Sequence, residues 1–142
     1  DLGGLIGLIV IADNSDRISG AVISNTGVPL SRNMEQEKHK KIKEFKSQNK
    51  KICGYAATAK STTVLNYCGI NNKMIDFICD TTKEKIGKFS PGSHIPIVPV
   101  SDFHKSKPDI AFLFAWNHKE EIFSKEKDFK KNGGVWFSHV AL

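Results

Sequence analysis

The apolar positions of this chain fall into two regimes that meet near residue 50. In the first, Leu2–Ala12 is an isoleucine-rich run interrupted by Gly7, and it reads as a strand. Residues 14–32 mix Asn, Asp, Ser, Gly and Pro29 without a period, and read as a loop. Asn33–Gln48 is strongly polar, and Met34, Ile42 and Phe45 give it only a thin apolar stripe, the pattern of a helix laid on a surface. From Lys51 onward the period changes. Lys51–Tyr55 predicts a strand, Thr58–Tyr67 a helix stopped by Cys68-Gly69, and Met74–Cys79 a second strand. Phe89–His94 predicts a turn around Pro91-Gly92. Ile95–Val100 is extended, with Pro96 and Pro99 marking it as an edge strand, and a short helix begins at Ser101. Asp109–Trp116 is strongly apolar and predicts a strand buried on both faces. A helix over Lys119–Lys131, a turn at Gly133-Gly134 and a strand over Val135–Val140 complete the chain. Strands alternating with helices predict an α/β fold, Rossmann-like, with a mainly parallel sheet, flanking helices and right-handed crossovers. Lys51–Tyr55 and Asp109–Trp116 are its expected central strands.

At 142 residues the chain fits one domain with a sizeable core. It divides into an N-terminal strand, loop and surface helix over residues 1–50 and the Rossmann-like region over residues 51–142. The net charge of +6 invites a nucleic-acid reading. Only Arg17 and Arg32 are arginines, however, and the lysines lie on two helical faces mixed with glutamates, so a solvated lysine face explains the charge and no nucleic-acid partner is expected. Such a surface suits an acidic partner domain or an anionic diphosphate. Leu5–Ala12 is too short to span a bilayer and follows no charged segment, so neither a membrane span nor a secretory signal is expected. Cys53, Cys68 and Cys79 have no C-x-x-C spacing, and an odd count in a strand core points to thiols in a reducing compartment, hence a cytoplasmic location. His39, His104 and His139 are scattered without metal spacing. No nucleophile–base pair or paired carboxylates stand out, so no catalytic residue is assigned.

The candidate chemistry is that of binding. After the first strand, Gly54, Tyr55 and Ala56 lead through small residues to Lys60, a turn able to offer backbone N–H groups and a cation to a diphosphate. It is not a P-loop, because Ala59 stands where the second glycine is needed. The bland reading is that Ala56, Ala57 and Ala59 only allow close helix–sheet packing. Asp80 ends the second strand, where an acid binds a ribose hydroxyl in dinucleotide folds or caps a turn. His94 sits in the Pro-Gly turn, as a ligand to a sugar hydroxyl or phosphate oxygen or as a structural residue. Trp116 and Asn117 follow the most buried strand. They suit stacking on a base or sugar, and Asn117 also suits capping the helix from Lys119.

Four stretches carry a family resemblance. Gly54–Thr63 resembles a G-Y-G-A-x-A-K-G-N-T motif, with Ala56 and Ser61 replacing glycines. IDFICD (Ile75–Asp80) matches a second strand with its terminal acid, KIGKFSPGSHIPI (Lys85–Ile97) is close to K-x-G-x-x-x-P-G-T-H-I-P-I, and KPDIAFLFAWNHKEEI (Lys107–Ile122) is similar to K-P-D-x-x-x-x-x-x-W-N-x-x-x-E-I. In this order they resemble the C-terminal domain of SAM-dependent sugar C-methyltransferases. The resemblance implies a Rossmann-like domain that helps bind a nucleoside-diphosphate deoxysugar and partners the SAM-binding domain of the same enzyme. SAM would be the cofactor of the parent enzyme, with no cofactor and no catalysis in this chain alone. Two other readings stay open: a stand-alone nucleotide-sugar-binding module like that of sugar N-acetyltransferases, and a non-catalytic interaction domain that kept the fold and lost the site.

Overall fold

A computed structural model describes residues 32–142, with side chains from residue 36. The strand expected over Leu2–Ala12 and the loop over residues 14–31 lie outside the described residues. The elements are α1 (Arg32–Ser47), β1 (Ile52–Tyr55), α2 (Ala59–Tyr67), β2 (Ile78–Asp80), β3 (Ile97–Pro99), α3 (Val100–Ser106), β4 (Ile110–Leu113), a single 3-10 turn (Trp116–His118), α4 (Lys119–Lys125), α5 (Lys127–Lys131) and β5 (Val135–Phe137). The strands form one sheet in the order β3-β2-β1-β4-β5, and every pairing is parallel. β1 and β4 are central, paired from Ile52↔Ile110 to Tyr55↔Leu113. This is the expected α/β, Rossmann-like architecture.

Alternation along the strands builds two cores. Ile52, Ile78, Ile110 and Phe112 face one side, against Ile42 and Phe45 of α1 and Val64 and Leu65 of α2. Cys53, Tyr55, Cys79, Ala111 and Leu113 face the other, against Phe103 of α3, Ile122 of α4 and Phe129 of α5. The helix after β1 and the helix after β4 therefore leave the sheet on opposite faces. Between β1 and β4 the strand order reverses, and the carboxyl edge at such a switch point is the place where open α/β sheets bind ligands.

Several elements differ from the sequence expectation, each for a local reason. β2 starts at Ile78 rather than Met74, because Met74 and Ile75 close a turn onto the Asn71 carbonyl. β4 stops at Leu113, although the Phe114 amide still donates to the Tyr55 carbonyl at 3.1 Å. The expected helix over Lys119–Lys131 is broken at Glu126 (φ −104°, ψ 35°), whose buried carboxylate turns inward. β5 ends at Phe137, after which the Ser138 hydroxyl bonds the Leu113 carbonyl at 2.9 Å. α2 carries its expected stop, with Gly69 at φ 61°.

Among the described residues no helix is long and apolar enough to cross a membrane.

Candidate functional site

The turn from β1 into α2 is held by its neighbours before any ligand is considered. Gly54 is needed for packing: a Cβ there would lie 2.8 Å from Cε2 of Phe114 and 2.9 Å from Cγ1 of Ile78. Tyr55 points away from the turn into the core beneath α3–α5. Its hydroxyl donates to Oε1 of buried Glu126 at 2.8 Å, and its ring meets Phe103 and Trp136 edge-on. Burial, reinforced by Glu126, pushes the phenol well above its usual pKa. The other carboxylate oxygen of Glu126 lies 2.7 Å from Nε2 of His104.

Ala56 takes the left-handed conformation, φ 72°, and its amide donates to the Cys79 carbonyl at 2.8 Å. This is the position where the family motif has glycine, and a Cβ is strained there. Ala56→Gly is expected to stabilise the chain by about 0.5–1 kcal/mol, the relief of strain exceeding the entropy that glycine adds to the unfolded chain. Urea unfolding at pH 7 checks it; an unchanged or lowered midpoint would show that the turn has absorbed the strain.

Asp80 clamps the same turn from β2. Its Oδ2 accepts the Ala57 amide at 2.6 Å and its Oδ1 the Thr82 amide at 2.7 Å. The Lys85 ammonium lies 3.6 Å from Oδ2 and donates to the Ala57 carbonyl at 2.8 Å. Burial alone would raise the Asp80 carboxyl. The Thr82 hydroxyl and amide, the Ala57 amide and the Lys85 charge outweigh it and hold the group below the usual carboxylate range. Both oxygens are engaged, so Asp80 shapes the turn.

Lys60, Trp116 and Asn117 come together at the carboxyl edge of the sheet. Lys60 Nζ lies 5.2 Å from the centre of the Trp116 ring and 3.4 Å from Oδ1 of Asn117. Asn117 does not cap α4, whose first turn has no side-chain cap. α2 begins beneath Lys60, with the Thr58 side chain accepting the Ser61 amide. The first amides of the helix point out of its N-terminus, where the helix dipole favours an anion. Among the described residues two buried side-chain polar atoms have no partner, Nε1 of Trp116 and Nε2 of His139. Burial first, then the charges of Lys38 and Lys60, lowers the His139 imidazole to about 4. In sequence His139 is one of several scattered histidines, and its place just past the last strand of a parallel sheet is the signal that sets it apart.

The structure does not bring His94 to this cluster. The Gly87 amide donates to the Ile97 carbonyl and the Ile97 amide to the Lys88 carbonyl, so residues 87–89 run back antiparallel to β3. Their turn, with exposed His94 at φ 53°, therefore lies at the amino edge of the sheet. Asn66, near the far end of α2, donates to the Pro91 carbonyl at 2.9 Å and fastens the turn there. The expectation that His94 converges with Lys60 and Trp116-Asn117 is corrected on this point.

Cys53 and Cys79 are buried thiols pushed up by desolvation, Cys79 to about 12, and are poor nucleophiles. Among the described residues no group of three or more His, Cys, Asp or Glu side chains is placed to hold a metal ion.

Residues 29–140 match the sequence model of the C-methyltransferase C-terminal domain. The C-methyltransferase NovU of Streptomyces niveus is 41% identical over 88 residues, 62% of this chain and 21% of NovU. The chain thus matches about a fifth of the length of that curated relative.

Proposed function

The chain belongs to the C-methyltransferase C-terminal domain family, and from that we propose that it is the C-terminal substrate-binding domain of a SAM-dependent sugar methyltransferase, helping to bind a nucleoside-diphosphate deoxysugar. One observation carries the binding role: Lys60, Trp116 and Asn117 meet at the switch point of the sheet, above the N-terminus of α2. A diphosphate placed there meets an ammonium and helix amides. The Trp116 ring offers a stacking face to a base or sugar, and Asn117 an amide for its polar edge. Gly54, Tyr55, Ala56 and Asp80 serve the site from beneath, by packing, anchoring and clamping the turn.

SAM supplies the methyl group in the parent enzyme. The residues here do not suit it: the turn presents a cation and a helix N-terminus, a donor set for an anion rather than for a sulfonium. The SAM-binding domain of the same enzyme is therefore the protein partner, and this chain alone binds and orients without catalysing. A cytoplasmic location agrees with the buried thiols of Cys53 and Cys79.

Titration of the 142-residue chain with dTDP and UDP, followed by amide shifts, tests the reading. Shifts are expected on residues 53–62 and at Trp116-Asn117. Lys60→Ala should weaken binding about tenfold or more, the worth of a charge-assisted hydrogen bond. If saturating dTDP and UDP move nothing there, or Lys60→Ala leaves the shifts unchanged, the chain is instead a non-catalytic interaction domain.

A further inference from the structure

His139 lies just past β5, 5% exposed, its ring parallel to that of Phe112 at 6.4 Å between centres. The tautomer follows from its neighbour. The Ser138 hydroxyl donates its single proton to the Leu113 carbonyl at 2.9 Å. Toward Nδ1 of His139, 3.4 Å away, the Ser138 oxygen is then an acceptor only. Nδ1 carries the imidazole proton, and Nε2 is left as a lone pair. That nitrogen is buried, and no described group donates to it. Buried acceptors without a donor are uncommon in folded proteins. A second proton is not the answer, because burial and the charges of Lys38 on α1 and Lys60 on α2 keep the ring neutral. Trp116 is its counterpart: Nε1 is a buried donor without an acceptor, on a ring that Lys60 already touches.

We propose that His139 is a specificity-determining residue of the site around Lys60, its Nε2 accepting a hydrogen bond from a sugar hydroxyl of the bound ligand. This rests on the nucleotide-sugar reading above. Lys60 and the α2 amides recognise the diphosphate, which inorganic pyrophosphate shares. His139 recognises an O–H, which pyrophosphate does not offer, and Trp116 Nε1 offers the complementary donor to a ligand oxygen. The chain then separates a glycosylated diphosphate from a bare one by an acceptor, Nε2 of His139, that only a hydroxyl-bearing ligand satisfies.

The test uses the 142-residue chain and its His139→Phe variant, which keeps an aromatic ring against Phe112 and removes the lone pair. Each is titrated with inorganic pyrophosphate and with dTDP-glucose, and the imidazole Nε2 resonance of the unsubstituted chain is followed by 15N NMR. dTDP-glucose should move that resonance upfield, as expected for a nitrogen that accepts a hydrogen bond, while pyrophosphate leaves it in place. His139→Phe should weaken dTDP-glucose binding fivefold or more and leave pyrophosphate binding unchanged. Equal affinities in variant and parent, or a stationary Nε2 resonance with dTDP-glucose bound, would mean that an internal water satisfies the nitrogen, and would overturn the proposal alone. Failure of pyrophosphate to bind the unsubstituted chain would overturn the diphosphate reading and this proposal with it. The resonance measurement stands even where the variant does not fold.

Discussion

Asp80→Ala should cost the fold about 2–4 kcal/mol and remove diphosphate binding with it. The carboxylate is 7% exposed and is engaged by the Ala57 amide, the amide and hydroxyl of Thr82 and the Lys85 ammonium. Alanine would leave the Ala57 amide without its acceptor and the Lys85 charge without its counterion. The segment it releases runs from strained Ala56 into the first turn of α2, so the amides and Lys60 lose their placement together. Asp80→Asn keeps the shape, but its amide nitrogen must face one of the two backbone donors. An intermediate loss is expected, because one acceptor and the charge are gone. The pH dependence separates charge from shape. The folded carboxyl titrates below its ordinary value of 3.8. The stability it contributes is therefore present above 3.8 and lost as the pH falls through the folded value. Urea unfolding should show Asp80→Asn well below the parent chain at pH 7, with the gap narrowing below pH 3.8. A loss under about 1 kcal/mol for Asp80→Ala at pH 7 would show that the turn is held by other contacts.

What the sequence discloses of this fold depends on how local the cause is. β1 and β4 are short apolar runs bounded by turn residues, and burial on both faces leaves that trace directly. The edge position of β3 is written in Pro96 and Pro99, which cannot donate to a ladder. Lys60, Trp116 and Asn117 were readable because each follows a strand, and parallel strands end on one edge. The misplacements arise where a distant partner decides. Nothing in KEEIFSKEKDFKK distinguishes Glu126 from its solvated neighbours; Tyr55, from across the domain, draws it inward and breaks the helix. Gly54 reads equally as close approach to phosphate or to a side chain, and the side chains of Phe114 and Ile78 against it decide for packing. His94 follows strand residues in sequence order, but residues 87–89 double back along β3 and carry its turn to the opposite edge.

Acidification is expected to expose His139 as a second, separable weakness. The imidazole titrates at its ordinary 6.5 in the unfolded chain and at about 4 in the folded one, a difference worth roughly 3 kcal/mol. Above pH 6.5 neither state holds the proton, and His139 contributes nothing to the pH dependence. Between 6.5 and about 4 the unfolded chain binds a proton that the folded chain refuses, so stability falls as the pH falls; below that window both states are protonated and the loss is complete. The window ends where that of Asp80 begins, which lets the two be told apart. Urea midpoints at pH 7, 5.5 and 4 should show the parent chain losing stability more steeply than His139→Phe, which has no proton to bind. Parallel slopes would mean that the ring accepts its proton in place, without the burial penalty. Ligand should deepen the effect, since a sugar hydroxyl donating to Nε2 binds only the neutral ring. With dTDP-glucose bound, the folded imidazole should resist protonation further still, and ligand affinity should fall as the pH drops below about 4.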